Sequence, residues 1–286
     1  MKAMLLAALT AGVIGGAVAY TPADPPPVRG SLLVTPGWLA LRLADPALVV
    51  LHVARDSAEY HAAHVPGARF VPLGALVLDR DSVPNELPPP ERLDSVLEAA
   101  GVSTESRIVV YGDPLPAARL FFTLDYLGLG DRAGLLDGGL ELWKAEGLPV
   151  SALPWEGPAG RLDWTLRPEV VVDAAWVADR IGDPSTALLD ARPAADFSPH
   201  IPGATSLPWR TLLTAPEPVR LKDPAILARL FRRAGLDEAK TVVVYCRTGM
   251  QASYLYFAAR YMGYAPRLYD GSFADWNRRT GVPIAP

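Results

Sequence analysis

One cysteine, Cys246, serves a chain of 286 residues, so no internal disulfide can form, whatever compartment the protein occupies. Histidine is nearly as scarce: four residues, scattered along the chain with Cys246, give no metal-ligand spacing, and no metal site is expected. Glycine-rich phosphate loops are missing as well. There is no basic excess, since 27 lysines and arginines stand against 31 acids for a net charge of −4. That balance gives no reason to expect binding to nucleic acid or an anionic membrane surface, which would call for a basic patch. A long apolar run occurs at the beginning, where Met1 to Ala19 carries a single lysine and ends Ala17-Val18-Ala19. This reads as a secretory signal peptide cleaved before Tyr20, with retention as an uncleaved anchor as the competing reading. A periplasmic or secreted protein of net charge −5, with no stable membrane association after cleavage, is the expectation. Prolines 22, 25, 26 and 27 make residues 20–30 an extended spacer.

What the sequence does contain is centred on Tyr245-Cys246-Arg247-Thr248-Gly249-Met250-Gln251. This stretch joins the apolar run Thr241-Val242-Val243-Val244 to a helix expected to begin near Ala252. A lone cysteine is ordinarily a small buried hydrophobe. Here the glycine and the polar residues 247, 248 and 251 form a loop that apolar packing would not need. A thiol at a strand end, with backbone N–H groups and a helix N-terminus converging on it and Arg247 beside it, is set up as a nucleophile with a lowered pKa.

The remainder is a duplication. His64 recurs at His200, Gly101 at Gly235, Tyr111 at Tyr245, Asp137 at Asp270 and Trp143 at Trp276, with offsets between 133 and 136. The halves are expected at 31–150 and 165–286, joined by a polar, turn-rich linker over 151–164. In each half, short β-branched runs alternate with amphipathic stretches. The first half has strands at 48–51, 69–71, 108–111 and 134–136 and helices at 90–100, 117–127 and 139–146. The second has strands at 187–190, 205–207, 241–245 and 267–269 and helices at 223–234, 251–262 and 272–280. This predicts an α/β fold, each half a mainly parallel sheet with helices on both faces and ligands beyond the carboxyl ends of the strands. The halves differ in chemistry. Gly112-Asp113-Pro114-Leu115-Pro116 replaces the cysteine loop in the first, with no thiol and two prolines that lack an N–H, and His52 stands where the second half has Asp190.

The Cys246 loop resembles the active-site loop of the rhodanese family of sulfurtransferases. Tyr60-His61-Ala62-Ala63-His64-Val65-Pro66-Gly67-Ala68 and Phe197-Ser198-Pro199-His200-Ile201-Pro202-Gly203-Ala204 resemble its upstream signature, and Leu136-Asp137-Gly138-Gly139 and Tyr269-Asp270-Gly271-Ser272 its downstream one. The resemblance implies two tandem rhodanese-like domains, the first inactive and helping to wall the cleft. It implies sulfur transfer by double displacement through a Cys246 persulfide, with no cofactor beyond that covalent intermediate. The partners would be a small anionic donor such as thiosulfate and a cyanide or thiol acceptor, and a monomer is expected. Residues 247 to 251 would hold the persulfide through their N–H groups, with Arg247 supplying charge and Arg192 a further candidate for substrate contact. Asp190 and His200 are supporting candidates: the first as the ion-pair partner of Arg192, the second as an imidazole pinning its loop.

Within the family, 3-mercaptopyruvate sulfurtransferases usually have glycine after the cysteine. Arg247 argues against that choice, while Thr248, in place of the lysine familiar in thiosulfate enzymes, keeps it open. Asp196 lies where thiosulfate enzymes often offer a second cation. A persulfide carrier with little turnover of its own is a third reading. A cysteine phosphatase or arsenate reductase would want arginine six positions after the cysteine, where Ala252 stands.

Overall fold

The computed structural model describes residues 28–237 and 240–286. The expected signal peptide at 1–19 lies outside them, as does all of the spacer except residues 28–30. The first half runs β1 (Leu33–Val34), α1 (Pro36–Ala40), β2 (Leu48–Ala54), α2 (Ala58–Ala62), β3 (Arg69–Pro72), β4 (Leu78–Arg80), β5 (Val83–Glu86), α3 (Pro90–Ala99), β6 (Arg107–Gly112), α4 (Pro114–Tyr126), β7 (Ala133–Leu136) and α5 (Gly139–Ala145). The second runs β8 (Val171–Val172), α6 (Ala174–Ala178), β9 (Thr186–Asp190), β10 (Thr205–Ser206), α7 (Pro224–Arg233), β11 (Thr241–Tyr245), α8 (Met250–Tyr261), β12 (Pro266–Tyr269) and α9 (Ser272–Trp276).

Each half holds a five-stranded parallel sheet, ordered β1-β7-β6-β2-β3 and β10-β9-β11-β12-β8. Because helices cover both faces, the central strands are mainly apolar, and Val242, Val243 and Val244 of β11 are all buried. Proline opens α3, α4 and α7, where its missing N–H would have had no helical partner. Thr35 and Asp173 cap α1 and α6 by accepting from Trp38 and Trp176. The sequence did not signal the antiparallel hairpin β4–β5, whose Asp81, Ser82 and Asn85 have positive φ.

The halves meet along α4 and α8. Phe121 packs on Phe257 with ring centroids 4.9 Å apart, and Phe122 on Tyr256 at 5.0 Å, within a core cluster that draws on both halves. Asp125 of α4 is buried in this interface, where it accepts from the Tyr256 hydroxyl at 2.6 Å and pairs with Arg167 and Arg260. Trp143 and Trp276 belong instead to smaller clusters on the outer face of each sheet. Residues 151–164 lie along the first half: Ser151 bridges to His64, the Trp155 N–H donates to the Tyr60 hydroxyl at 2.9 Å, and Leu162 donates to Glu98 at 2.8 Å.

Candidate active site

β11 ends at Tyr245 and delivers Cys246 to the carboxyl edge of its sheet, 1 % exposed. α8 begins at Met250, one residue before the helix expected over 251–262, so the loop is only Cys246 to Gly249. Backbone N–H groups of Thr248, Gly249, Gln251 and Ala252 surround the Cys246 sulfur and favour its anion. Ala252 extends the expected cradle by one residue. It occupies the place where a phosphatase would carry arginine, and it contributes its backbone. Burial is the larger influence on Cys246 and raises its thiol above the ordinary value, while the four N–H groups pull the other way. The expectation of a lowered pKa is therefore corrected. Loop geometry favours the anion as foreseen, but the sequence could not show that the sulfur lies beneath the surface.

Gly249 caps α8 with φ +81°, a conformation that side-chain-bearing residues rarely adopt. A Cβ there would lie 2.9 Å from Asp270 Oδ1 and 3.2 Å from Arg119 Nη1, so glycine is needed for space as well as for conformation. Beneath the loop is Ser272, buried and itself at φ +53°. Its hydroxyl accepts from the N–H groups of Cys246 at 3.2 Å and Gly249 at 3.1 Å and donates to the Tyr269 carbonyl at 2.9 Å. The start of α9 completes the support, since Phe273 and Ala274 donate to the carbonyls of Cys246 and Arg247. Ser272 left a readable trace in the sequence. The first half has Gly139 at the corresponding place with φ +54°, and a serine retained in a glycine conformation implies a use for its hydroxyl.

The first half reaches this loop through residues that no motif flagged. Asn85, on the hairpin β4–β5, donates its amide N–H to the Thr248 hydroxyl at 3.1 Å. Arg119 of α4 donates to Asp270 Oδ1 at 2.6 Å and to the Asn85 carbonyl at 2.7 Å, and Asp270 Oδ2 accepts from the Leu87 N–H at 2.6 Å. Sequence periodicity could not find Arg119, because α4 is buried nearly all round and leaves no polar face to set it apart. The duplication persists in mirror form: Asp137 accepts from Arg220 of the second half at 2.7 Å.

The other expected site residues fall into two groups. Met250 and Gln251 form the first turn of α8, half-buried beside the cradle. Arg247 lies on the rim with its side chain 62 % exposed, and its guanidinium is 3.9 Å from the Asp196 carboxylate. Arg192, by contrast, is buried. Its Nε and Nη2 donate to Asp190, and Nη2 also donates to the carbonyls of Phe197 and Pro199. The guanidinium lies 4.4 Å from the Phe273 ring centroid. Arg192 and Asp190 therefore act together as a buried pair that fixes the 197–199 loop. His200 stacks on Phe197 at 4.0 Å and pairs through its backbone with Ala285, which holds the same loop from its far end. Among the described residues, no group of three or more His, Cys, Asp or Glu side chains is placed to hold a metal ion.

A rhodanese-like domain profile matches the chain twice, over residues 35–146 and 173–279. The 3-mercaptopyruvate sulfurtransferase of Escherichia coli K12 is 29% identical over 273 residues, covering 87% of this chain and 96% of its own length. The thiosulfate sulfurtransferase of Azotobacter vinelandii is 29% identical over 266 residues, covering 88% and 96%. In three dimensions, the crystal structure of a 3-mercaptopyruvate sulfotransferase from Escherichia coli superposes with a TM-score of 0.76 at 28% identity, covering 84% of this chain and 98% of that one. With two profile matches that share one parallel-sheet architecture, and a cysteine loop in the second, the chain belongs to the rhodanese family as a tandem-domain sulfurtransferase.

Proposed function

We propose that the protein moves sulfane sulfur from thiosulfate to cyanide or a thiol through a persulfide on Cys246. The observation that carries this reading is the lone cysteine held at the end of β11, immediately before the N-terminus of α8, in a loop whose backbone N–H groups surround the sulfur. In the first step the Cys246 thiolate attacks the outer sulfur of thiosulfate, the S–S bond of the donor breaks, and sulfite leaves with the bonding pair. Two negative charges enter with thiosulfate and two leave with sulfite, so the persulfide keeps the single charge of the thiolate. The cradle is already oriented and holds that charge without reorganising, as an oxyanion hole does. In the second step cyanide or a thiolate takes the outer sulfur and regenerates the Cys246 thiolate. No cofactor is called for, and the chain acts as a monomer. Arg247 stands on the rim as the cation that meets the incoming donor, and Asp190, Arg192 and His200 are positioning residues for the neighbouring loop.

A second reading has a specific observation in its favour. Asp196 beside Arg247 offsets part of the rim charge and suits a singly charged donor such as mercaptopyruvate better than a doubly charged one. The beginning of the chain supports export, with a mature protein starting near Tyr20; N-terminal sequencing of the fractionated protein checks it, and Met1 retained on cytoplasmic material would refute it.

Intact-mass spectrometry after treatment with thiosulfate tests the mechanism. The wild type gains one sulfur atom, about 32 Da, and Cys246→Ser gains none and transfers none. Sulfur transfer by the serine variant would overturn the persulfide route. Parallel kcat/KM values for thiosulfate and mercaptopyruvate decide the donor.

A further inference from the structure

Asn85, in strand β5 of the first half, stands in the left-handed region at φ +65°. Side-chain-bearing residues rarely adopt that conformation, although asparagine tolerates it better than most, and it persists where the surroundings fix it. Here three contacts do so. The Asn85 N–H donates to the Asp79 carboxylate at 3.3 Å, its carbonyl accepts from Arg119 at 2.7 Å, and its side-chain amide donates to the Thr248 hydroxyl at 3.1 Å. The first two are made within the first half and hold the backbone. The third crosses to the Cys246 loop. A backbone kept in an uncommon conformation by its own half, so that an amide is aimed at the other half, implies a use for the group it is aimed at.

Successive residues of the loop turn to different neighbours. Arg247 faces Asp196 of its own half, and Thr248, half-buried, faces Asn85 of the other. The Thr248 backbone N–H is at the same time one of the groups around the Cys246 sulfur. Because its hydroxyl oxygen accepts from Asn85, the hydroxyl hydrogen must point away from that amide, and among the described residues no protein acceptor takes it. The hydroxyl is therefore a donor of fixed direction in the residue next to the rim cation. Thiosulfate carries oxygens on the sulfur adjoining the one attacked, and mercaptopyruvate carries a carbonyl and a carboxylate. We propose that Asn85 is a positioning residue for recognition of the sulfur donor: by holding Thr248 it aims the Thr248 O–H at an oxygen of the anionic donor while the sulfur of that donor meets Cys246. This rests on the persulfide reading above and gives the first half a share in selecting the donor. Once sulfite or pyruvate has left, the persulfide carries no oxygen, and the Asn85–Thr248 pair has no part in the second half-reaction.

Double displacement makes the test selective, because kcat/KM for the donor reports the first half-reaction and kcat/KM for cyanide reports the second. Both are measured on the full chain, with thiosulfate and with mercaptopyruvate as donors. Asn85→Ala lowers kcat/KM for the donor about tenfold, the size of one hydrogen bond to a charged group, and leaves that for cyanide within about twofold of the wild type. Thr248→Val behaves in the same way, and Thr248→Ser, which keeps a hydroxyl, retains most of the wild-type value. The double variant Asn85→Ala with Thr248→Val is no slower than Thr248→Val alone, because Asn85 acts through that hydroxyl. Thr248→Val leaves the hairpin backbone untouched and keeps the test open should Asn85→Ala fail to fold. Donor kinetics unchanged in the single variants, equal losses for donor and cyanide, or additive losses in the double variant would overturn the proposal and leave the persulfide route standing. A wild type that gains no sulfur from either donor would overturn both.

Discussion

Arg119 is the residue through which the first half holds the site of the second, and Arg119→Met tests that dependence. The guanidinium is fully buried and makes a 2.6 Å ion pair with Asp270, whose carboxylate is 9% exposed. Removing it leaves Asp270 with the Leu87 N–H as its remaining donor in this set, and it also releases the Asn85 carbonyl. Breaking one side of a buried ion pair costs about 3–5 kcal/mol, because the other charge stays buried without its partner. At about 2–4 °C per kcal/mol the melting temperature should fall by roughly 6–20 °C. Asp270 also borders Gly249, so sulfur transfer should fall together with stability. Urea denaturation followed by fluorescence, on the wild type, Arg119→Met, Asp270→Asn and the double variant, separates the pair from its surroundings. The double variant should recover much of the loss, because it buries no uncompensated charge. A single-variant cost below about 1 kcal/mol, or strictly additive losses, would refute the claim that this pair joins the halves.

Gly249→Ala forces a Cβ into the left-handed region and against Asp270 and Arg119; it should cost about 1–2 kcal/mol from conformation alone and lower kcat for sulfur transfer at least tenfold, and wild-type kinetics would mean that the cradle tolerates displacement. Arg247→Ala removes a rim charge worth about 1.5 kcal/mol to an anionic donor, so kcat/KM should drop about tenfold for thiosulfate and less for mercaptopyruvate, while Asp196→Asn should raise the thiosulfate value. Equal, small losses for both donors would remove Arg247 from recognition. For His52, lowered to about 4 when folded and near 6.5 when unfolded, the folded state binds fewer protons between those values. Its contribution is complete above pH 6.5 and is lost as the pH falls toward 4, so chemical denaturation from pH 7 to 4 should show a decline that His52→Phe lessens by up to about 2 kcal/mol. Identical pH profiles would show that His52 is not the titrating group.

Repetition and periodicity carried much of the fold. Apolar runs with short amphipathic partners place strands and helices because burial on both faces demands them. The strand at 241–245 has the bounds that its valines suggested, and the helix expected over 90–100 ends one residue earlier. The two-residue edge strands β1 and β8, and the hairpin β4–β5 with its exposed, turn-rich sequence, left too short a pattern to register. The candidate position was legible for a different reason: one cysteine at a strand end before glycine is a local arrangement, and the N–H groups around it come from its own loop.

Pairings over long sequence separations were decided only in three dimensions. Asn85 meets Thr248 across 163 residues and Arg119 meets Asp270 across 151, and nothing in the local composition of either partner announces the other. The surroundings of the two arginines were decided the same way. Arg192 and Arg247 both looked like cations at the end of a strand, and burial with Asp190 made one a strut while exposure on the rim left the other facing solvent. Burial also set the direction of the Cys246 shift, since desolvation depends on how much of the folded chain lies over the sulfur. The sequence by itself therefore determined the architecture and singled out the cysteine on which the proposed function rests, because both depend on periodicity and near neighbours. Tertiary structure alone decided which charges are buried and which half supports which loop, because these depend on solvent exclusion between segments far apart in the chain.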